Sequence, residues 1–192
     1  MPINNPNSED VNRIAQDLGL QLSTTEISSY GEMLGNIIGG YNAVAATPAD
    51  LPPVKYPRSP AYRPHESDNP HNAWAVKTSV KGAAQGKLAG RTVALKDNIC
   101  LAGTPMTVGS SVLEGYLPEV DAEVACRILD AGGEITGKAV CEYFCVSGGS
   151  HTSATGPVHN PYQRGHTTGG SSSGCAALVA AGAVDMAIGG DQ

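Results

Sequence analysis

Three consecutive serines in a glycine-rich stretch are the residues of this sequence best suited to nucleophilic or proton-transfer chemistry. Gly169-Gly170-Ser171-Ser172-Ser173-Gly174 runs directly into Cys-Ala-Ala-Leu-Val-Ala-Ala-Gly, a small-residue segment that predicts a closely packed helix. The glycines free the backbone, and the start of a helix would orient the hydroxyl groups. The stretch therefore predicts a loop with exposed hydroxyls. The alternative is a flexible glycine–serine turn that ends in a helix N-cap.

A lysine at the end of an apolar segment is the second candidate. Residues 91–96, Arg-Thr-Val-Ala-Leu-Lys, predict a strand, which Asp97 and Asn98 follow. Ligands of open α/β sheets bind at strand ends, and burial of the Lys96 amine would favour its neutral, basic form. The alternative is a surface lysine paired with Asp97.

Three other patterns lack the surroundings that their chemistry requires. Residues 170–174 fit the Gly-x-Ser-x-Gly nucleophile elbow, but no strand precedes them. Residues 82–88 are similar to a phosphate-binding loop, but one residue is missing between the two glycines. The histidines and cysteines do not have the spacing of zinc ligands, so a zinc site is not expected.

The composition favours a folded chain with an aliphatic core. Hydrophobic residues make up 41% and charged residues 16% of the 192 residues, which argues against disorder. A net charge of −6 without a lysine or arginine cluster argues against a nucleic-acid partner. The N-terminal residues do not resemble a signal peptide, and no apolar run has the roughly 18 residues of a membrane helix. With five cysteines among apolar neighbours, we expect a cytoplasmic protein with reduced thiols and without membrane contact.

The elements that must position these residues fall into three segments. Residues 1–46 predict a hairpin of two amphipathic helices. Residues 47–72 are rich in proline and predict an ordered linker that wraps a surface. Residues 73–192 alternate strands and helices, which is typical of the α/β class. We therefore expect a mixed, largely parallel β-sheet flanked by helices.

Within the third segment the predicted elements follow one another closely. They are a short helix or strand at 74–80, a strand at 91–96, a helix at 121–131, a strand within 134–140, a short helix at 141–146, an irregular run at 147–170, a helix ending at Gly182 and a strand at 184–188. The chain then ends Gly-Gly-Asp-Gln, directly after an apolar strand. We expect from this that the domain is incomplete at its C-terminus.

With Lys96 and the serine run considered together, the sequence resembles the amidase signature family. The resemblance covers roughly residues 90–192. It rests on Gly-Arg-Thr-Val-Ala-Leu-Lys-Asp-Asn, Asp-Ala-Glu-Val, Gly-Pro-Val-His-Asn-Pro, Gly-Gly-Ser-Ser-Ser-Gly and Ala-Ile-Gly-Gly-Asp-Gln. The N-terminal helices and the Trp74 region are most similar to bacterial amidases associated with nitrile metabolism. The resemblance implies the amidase signature fold, truncated here, and hydrolysis of carboxylic amides to acid and ammonia without a cofactor.

The resemblance also implies a Ser–cisSer–Lys triad. Lys96 would be the base, and Ser171 would be the middle serine, on a cis peptide bond after Gly170. The nucleophilic serine of the family lies past the equivalent of Asp191-Gln192 and is therefore absent from this chain. The residues implied in oxyanion or substrate binding are Gln192, Asp191, Gly170, Ser172 and Cys145. The chain departs from the family pattern at Ser173, where glycine is usual.

Two alternatives remain beside an amidase that acts on small-molecule amides. One is an inactive fragment, or a subunit that works only in association with another. The other is the A-type component of a tRNA-dependent amidotransferase, against which the proline-rich segment and the helical N-terminus argue. Acyl specificity and homo-oligomer formation are left open by the sequence.

Overall fold

The computed structural model describes residues 3–48 and 50–191. The chain divides into two compact units, Met1–Asp50 and Leu51–Gln192. Within the described ranges, no helix is both long and apolar enough to cross a bilayer.

The first unit is a pair of helices, α1 (Ser8–Asp17) and α2 (Thr24–Ala46). The N-cap of α1 is Asn7, whose side chain accepts a hydrogen bond from the Asp10 amide at 2.9 Å while the Asp10 carboxylate accepts one from the Asn7 amide. This reciprocal capping box satisfies two backbone donors that a helix start leaves unpaired. The Asn42 amide group, in α2, binds the backbone of Ile3. Much of the predicted apolar stripe of α2 is nevertheless exposed.

The second unit is built on a four-stranded sheet in the order β1-β3-β2-β4. The strands are β1 (Trp74–Lys81), β2 (Thr92–Lys96), β3 (Glu134–Ala139) and β4 (Met186–Ile188). β2 pairs in parallel with β3 and β4, whereas β1 pairs antiparallel with β3. The sheet and its flanking helices confirm the predicted α/β class with a mixed, largely parallel sheet.

Two helices, α3 (Glu123–Asp130) and α4 (Ser173–Ala180), supply side chains to two separate hydrophobic clusters. Side chains alternate between the faces of a strand, so β2 contributes to both clusters. Val93 and Leu95 pack with Leu129 of α3, while Ala94 packs with Leu178 of α4. β2 is therefore buried on both faces, which is why its sequence is nearly continuously apolar.

Two predicted helices are corrected by the structure. Residues 141–146 form only a short 3₁₀ turn, Tyr143–Cys145, in which Phe144 and Cys145 have left-handed φ angles of 45° and 60°. A regular helix cannot contain these angles. The helix predicted from residue 121 begins at Glu123, because the Asp121 carboxylate instead binds Arg58 and the Ala102 amide.

Residues 51–72 of the proline-rich segment lie in the second unit. They contact its helices and strands through side chains and through one backbone bridge. Lys55 Nζ and Tyr56 Oη both lie 2.6 Å from Asp130 Oδ1 at the end of α3. Tyr62 pairs with Lys77 of β1 through an isolated bridge. Among the apolar side chains of the segment, Tyr56 packs on the core, whereas Leu51, Val54 and Tyr62 are exposed.

Gly174 brings the first turn of α4 against the end of β3. A Cβ atom at this position would lie 2.5 Å from the Ala73 carbonyl oxygen and 2.6 Å from the Val140 amide nitrogen. These are backbone atoms, which cannot rotate away. We expect Gly174→Ala to lower the free energy of unfolding by about 1–3 kcal/mol or more, as measured by urea denaturation.

The matched control is Gly148→Ala, where a Cβ atom meets nothing within 4 Å. Its free energy of unfolding should stay within about 0.5 kcal/mol of the parent value. Equal stability of the Gly174→Ala protein and the parent would contradict the close packing of α4 on β3.

Candidate active site

Lys96, the last residue of β2, meets Ser171 just before α4. The Lys96 side chain is completely buried, and its Nζ atom lies 2.6 Å from Ser171 Oγ and 3.3 Å from the Gly190 carbonyl oxygen. The fold thus brings together two residues that are 75 positions apart in the chain. An amine in hydrogen-bond contact with a hydroxyl is an arrangement that can transfer a proton.

The backbone at Ser171 is held by close contacts. The peptide bond between Gly170 and Ser171 is cis, as the family resemblance implies. The Glu142 amide donates a hydrogen bond to the Ser171 carbonyl oxygen at 3.1 Å. A Cβ atom on residue 170 would lie 2.2 Å from the Gly149 carbonyl oxygen, so only glycine fits there.

The alternative pairing of Lys96 with Asp97 is wrong. Asp97 Oδ2 accepts hydrogen bonds from the Thr107 amide, the Thr107 hydroxyl and the Val108 amide at 2.9–3.0 Å. Asp97 Oδ1 lies 3.3 Å from Nζ of Lys138, and both of these side chains are buried. The carboxylate next to Lys96 in sequence therefore binds a different lysine.

The two other serines of the run have different partners. Ser172 Oγ accepts a hydrogen bond from the Gly190 amide at 3.1 Å and donates one to the Gly190 carbonyl at 3.0 Å. Ser173 is buried on the first turn of α4, and its hydroxyl lies 3.5 Å from the Val140 carbonyl oxygen. The prediction of exposed hydroxyls is therefore wrong for Ser173, because α4 packs directly on the end of β3.

A small polar cavity of about 130 Å³ opens beside Ser171. Its lining consists of Cys145, Val146, Ser147, Gly148, Gly170, Ser171, Gly190 and Asp191. Three of the implied substrate-binding residues, Gly170, Asp191 and Cys145, thus share this cavity, and Ser172 contacts its edge through Gly190. Gln192 lies outside the described residues. A larger polar cavity of about 350 Å³, near Arg63 and Arg164, shares no lining residue with the site.

Two buried cysteines near the site, Cys141 and Cys175, are packing residues. Burial raises the pKa of the Cys175 thiol to about 12. Burial, followed by the neighbouring Cys145, also raises the pKa of Cys141. Both thiols are therefore protonated near neutral pH. Within the described ranges, no group of three or more histidine, cysteine, aspartate or glutamate side chains is placed to hold a metal ion.

Glu142 is a site residue that the sequence reasoning missed. It is buried, and its Oε2 atom accepts hydrogen bonds from the His151 amide at 3.2 Å, the Thr152 amide at 3.0 Å and the Thr152 hydroxyl at 2.7 Å. Burial raises the pKa of Glu142, but these hydrogen bonds outweigh it and the pKa lies below its usual value. Its position as the single charged residue in the segment Cys-Glu-Tyr-Phe-Cys could have indicated a structural role.

Replacement of Glu142 tests whether this carboxylate holds the loop that lines the cavity. In Glu142→Ala three hydrogen-bond donors lose their acceptor, so we expect the amides of His151 and Thr152 to exchange with solvent at least about tenfold faster. Hydrogen–deuterium exchange measures the change. Glu142→Gln keeps one acceptor oxygen and serves as the control, with exchange closer to the parent. Parental protection of both amides in Glu142→Ala would contradict the assignment.

Comparison with known proteins identifies relatives over the same region. A family model described as Amidase matches residues 66–192. An enantioselective amidase of Rhodococcus rhodochrous is 55% identical over 130 residues, which cover 67% of this chain and 25% of that protein. The A-type subunit of the glutamyl-tRNA(Gln) amidotransferase of Haloarcula marismortui is 46% identical over 121 residues, covering 63% of this chain and 28% of the relative.

A solved structure shares the fold. The crystal structure of the A-type subunit of the Thermotoga maritima glutamyl-tRNA(Gln) amidotransferase superposes with a TM-score of 0.58 at 36% identity, covering 63% of this chain and 27% of that one. The chain therefore spans about a quarter of the length of the relatives it matches. Because the family model covers well over half of the 192 residues, and because fold and sequence agree, the chain belongs to the amidase signature family.

Proposed function

We propose that the protein containing this chain hydrolyses the C–N bond of small-molecule carboxylic amides and releases a carboxylic acid and ammonia. The observation that carries the proposal is the 2.6 Å contact between Lys96 Nζ and Ser171 Oγ beside a polar cavity. Membership of the family and the identity of 55% to an enantioselective amidase support the same chemistry.

In this proposal Lys96 is the base and Ser171 is a proton relay. A serine hydroxyl is weakly nucleophilic until a base accepts its proton. The Ser171 hydroxyl both donates and accepts hydrogen bonds, so it can pass a proton to the neutral amine of Lys96 while it receives one from a second serine. The buried position of Lys96 keeps water from competing for this exchange.

Protons and bonds balance over two stages, formation of an acyl-serine and its hydrolysis. The nucleophilic oxygen attacks the amide carbon as its proton passes through Ser171 to Lys96. The Lys96 ammonium then returns the proton through Ser171 to the leaving nitrogen, the C–N bond breaks, and ammonia departs from an acyl-serine. Water hydrolyses the acyl-serine by the same relay, which gives the acid and restores both residues. No metal or organic cofactor takes part.

We place the nucleophilic serine outside these 192 residues. Ser172 and Ser173 are engaged with Gly190 and Val140, so neither is directed at Ser171 as a second hydroxyl would have to be. The length of the relatives leaves ample sequence for it. In this proposal residues 73–192 are the N-terminal part of the catalytic domain, after the helical hairpin of 1–46 and the linker of 47–72.

The oxyanion would be stabilised by backbone N–H groups at Gln192 and the residues after it. Support comes from Gly190, which contacts both Lys96 and Ser172 and lies two residues before Gln192. Asp191 would orient the turn, and Gly170, Ser172 and Cys145 would contact the substrate. Fixed donors aimed at the developing negative charge are a large source of rate acceleration in acyl transfer.

Substitution of the two relay residues tests the proposal in the complete protein. Lys96→Ala and Ser171→Ala should each lower kcat for propionamide by about 100- to 10,000-fold, the range expected for loss of a proton-transfer group. Circular dichroism should show that both variants are folded. Lys55→Ala, which removes an exposed lysine, is the control and should keep the parental kcat. A near-parental kcat in Lys96→Ala would rule out the base assignment.

The 192-residue chain by itself should not react with a fluorophosphonate probe, because the proposed nucleophile is not part of it. Mass spectrometry of the treated chain measures the adduct. The complete protein should be labelled at one serine, and inhibition should follow the labelling. Stoichiometric labelling of the short chain at Ser171, Ser172 or Ser173 would overturn the placement of the nucleophile.

The identity of 46% to an amidotransferase component favours a second candidate, a protein that acts with partner subunits. The two are distinguished by assay of the purified complete protein alone. Hydrolysis of propionamide without any added partner supports the amidase. Amide hydrolysis that appears only in the presence of a partner would support the second candidate, or an association-dependent form of the first.

A further inference from the structure

A second buried lysine lies close to Lys96 and has no part in the proposed relay. Lys138, in β3, is completely buried, and its Nζ atom lies 3.3 Å from Oδ1 of Asp97, which is also buried. Neither of these two atoms has another hydrogen-bond partner within the described ranges. A buried ion pair of this kind is costly to desolvate and is not an obvious way to stabilise a fold.

The register of the sheet sets the position of this pair relative to Lys96. Leu95 pairs with Lys138 and Lys96 pairs with Ala139 across the parallel strands β2 and β3. Because side chains alternate along a strand, Lys138 lies on the Leu95 face of the sheet, whereas Lys96 lies on the Ala94 face towards α4. The ion pair and the Lys96 amine thus approach the same strand end from opposite faces.

The two oxygens of the Asp97 carboxylate have different partners. One oxygen accepts three hydrogen bonds from Thr107 and Val108, and the other faces Lys138. Hydrogen bonds to a carboxylate favour its charged form. Without Lys138 this negative charge would be uncompensated at the residue next to Lys96. Charges on neighbouring residues interact more strongly where water does not screen them.

We propose that Lys138 is a positioning residue for amide hydrolysis: by neutralising the charge of Asp97 across the sheet, it favours the neutral, proton-accepting form of the Lys96 amine. The proposal rests on the proposed function of Lys96 as base. In this arrangement Lys138 is the counterion of the Asp97 carboxylate. Asp97 can then hold the loop at Thr107 through hydrogen bonds without stabilising the protonated form of Lys96.

Among the described residues, the other ionisable groups near the two lysines include thiols and two acids. Cys100 and Cys141 lie near Lys138, and Cys141 and Cys175 lie near Lys96. The acids are Glu142, which binds His151 and Thr152, and Asp191 at the cavity. Burial lowers the pKa of Lys138 by more than the charge of Asp97 raises it, so the pKa lies below its usual value. The protonated form of Lys138 therefore depends on the negative charge of Asp97.

The test is the pH dependence of kcat/KM for propionamide in the complete protein. In Lys138→Met the uncompensated Asp97 should stabilise the ammonium form of Lys96. The acid limb of the profile should then move to higher pH by about one unit, the lower end of the effect of a nearby opposite charge. At a fixed pH below the limb, that shift appears as a roughly tenfold loss of kcat/KM.

Three further variants separate the charge from the packing. Asp97→Asn combined with Lys138→Met removes both charges, and its acid limb should return to within about 0.3 units of the parent, because the source of the shift is gone. Lys55→Met removes an exposed, paired lysine and should leave the profile unchanged. Lys138→Gln is a second neutral replacement, and the same upward shift is expected in it.

The proposal is overturned if folded Lys138→Met or Lys138→Gln protein keeps the parental acid limb and loses rate uniformly at every pH. The ion pair would then have only a structural role. Failure of both proteins to fold would likewise count against it. The titration midpoint of the Lys96 side chain, followed by NMR of the ¹³C-lysine-labelled protein and assigned with Lys96→Ala, should rise in Lys138→Met. That midpoint decides the inference even if Lys96→Ala retains activity and the proposed function fails.

Discussion

The burial of Lys96 at the end of β2 is the constraint on which the rest of the site depends. A lysine amine without water must find its hydrogen-bond partners in the protein, and here they are the Ser171 hydroxyl and the Gly190 carbonyl. Residue 171 precedes α4 and residue 190 follows β4, so one polar atom joins three elements of the unit. Helix α4 and strand β4 must both pack close to β2 for this to happen, and their small residues allow it.

Close backbone approach, more than side-chain shape, determines the geometry around that amine. At Gly170 and Gly174, a Cβ atom would lie only 2.2 Å and 2.5 Å from a carbonyl oxygen. Between them the three serines point in different directions because the chain passes from an irregular loop into a helix. Glu142 then supports the arrangement, since its amide binds Ser171 and its carboxylate binds the loop at 151–152. The serine run is thus held at both ends.

The sequence predicted most of the helices and strands, and failed where long-range partners decide. The pairing of Lys96 with Ser171 was implied only by the family resemblance. The strand ending at Lys96 and the helix after the serines followed from apolar periodicity and turn residues, which are local properties. The turn at Tyr143–Cys145 did not, because its left-handed residues are held by a hydrogen bond from the Phe144 amide to Val108. Likewise Asp97 pairs with Lys138, which is 41 positions away, whereas the sequence suggested the adjacent Lys96 as its partner. Spacing in sequence cannot reveal such pairs.

The cavity beside Ser171 has a further consequence. Three of its eight lining residues are glycines, which offer only main-chain atoms to the cavity. A substrate that reaches Ser171 would meet peptide groups, whose chemistry is the same whichever residue occupies a position. Family members that act on different amides could therefore keep this end of the site unchanged and diverge in the walls that hold the rest of the substrate. Relatives would then share the backbone conformation beside Ser171, and differences in selectivity would arise from the residues around it.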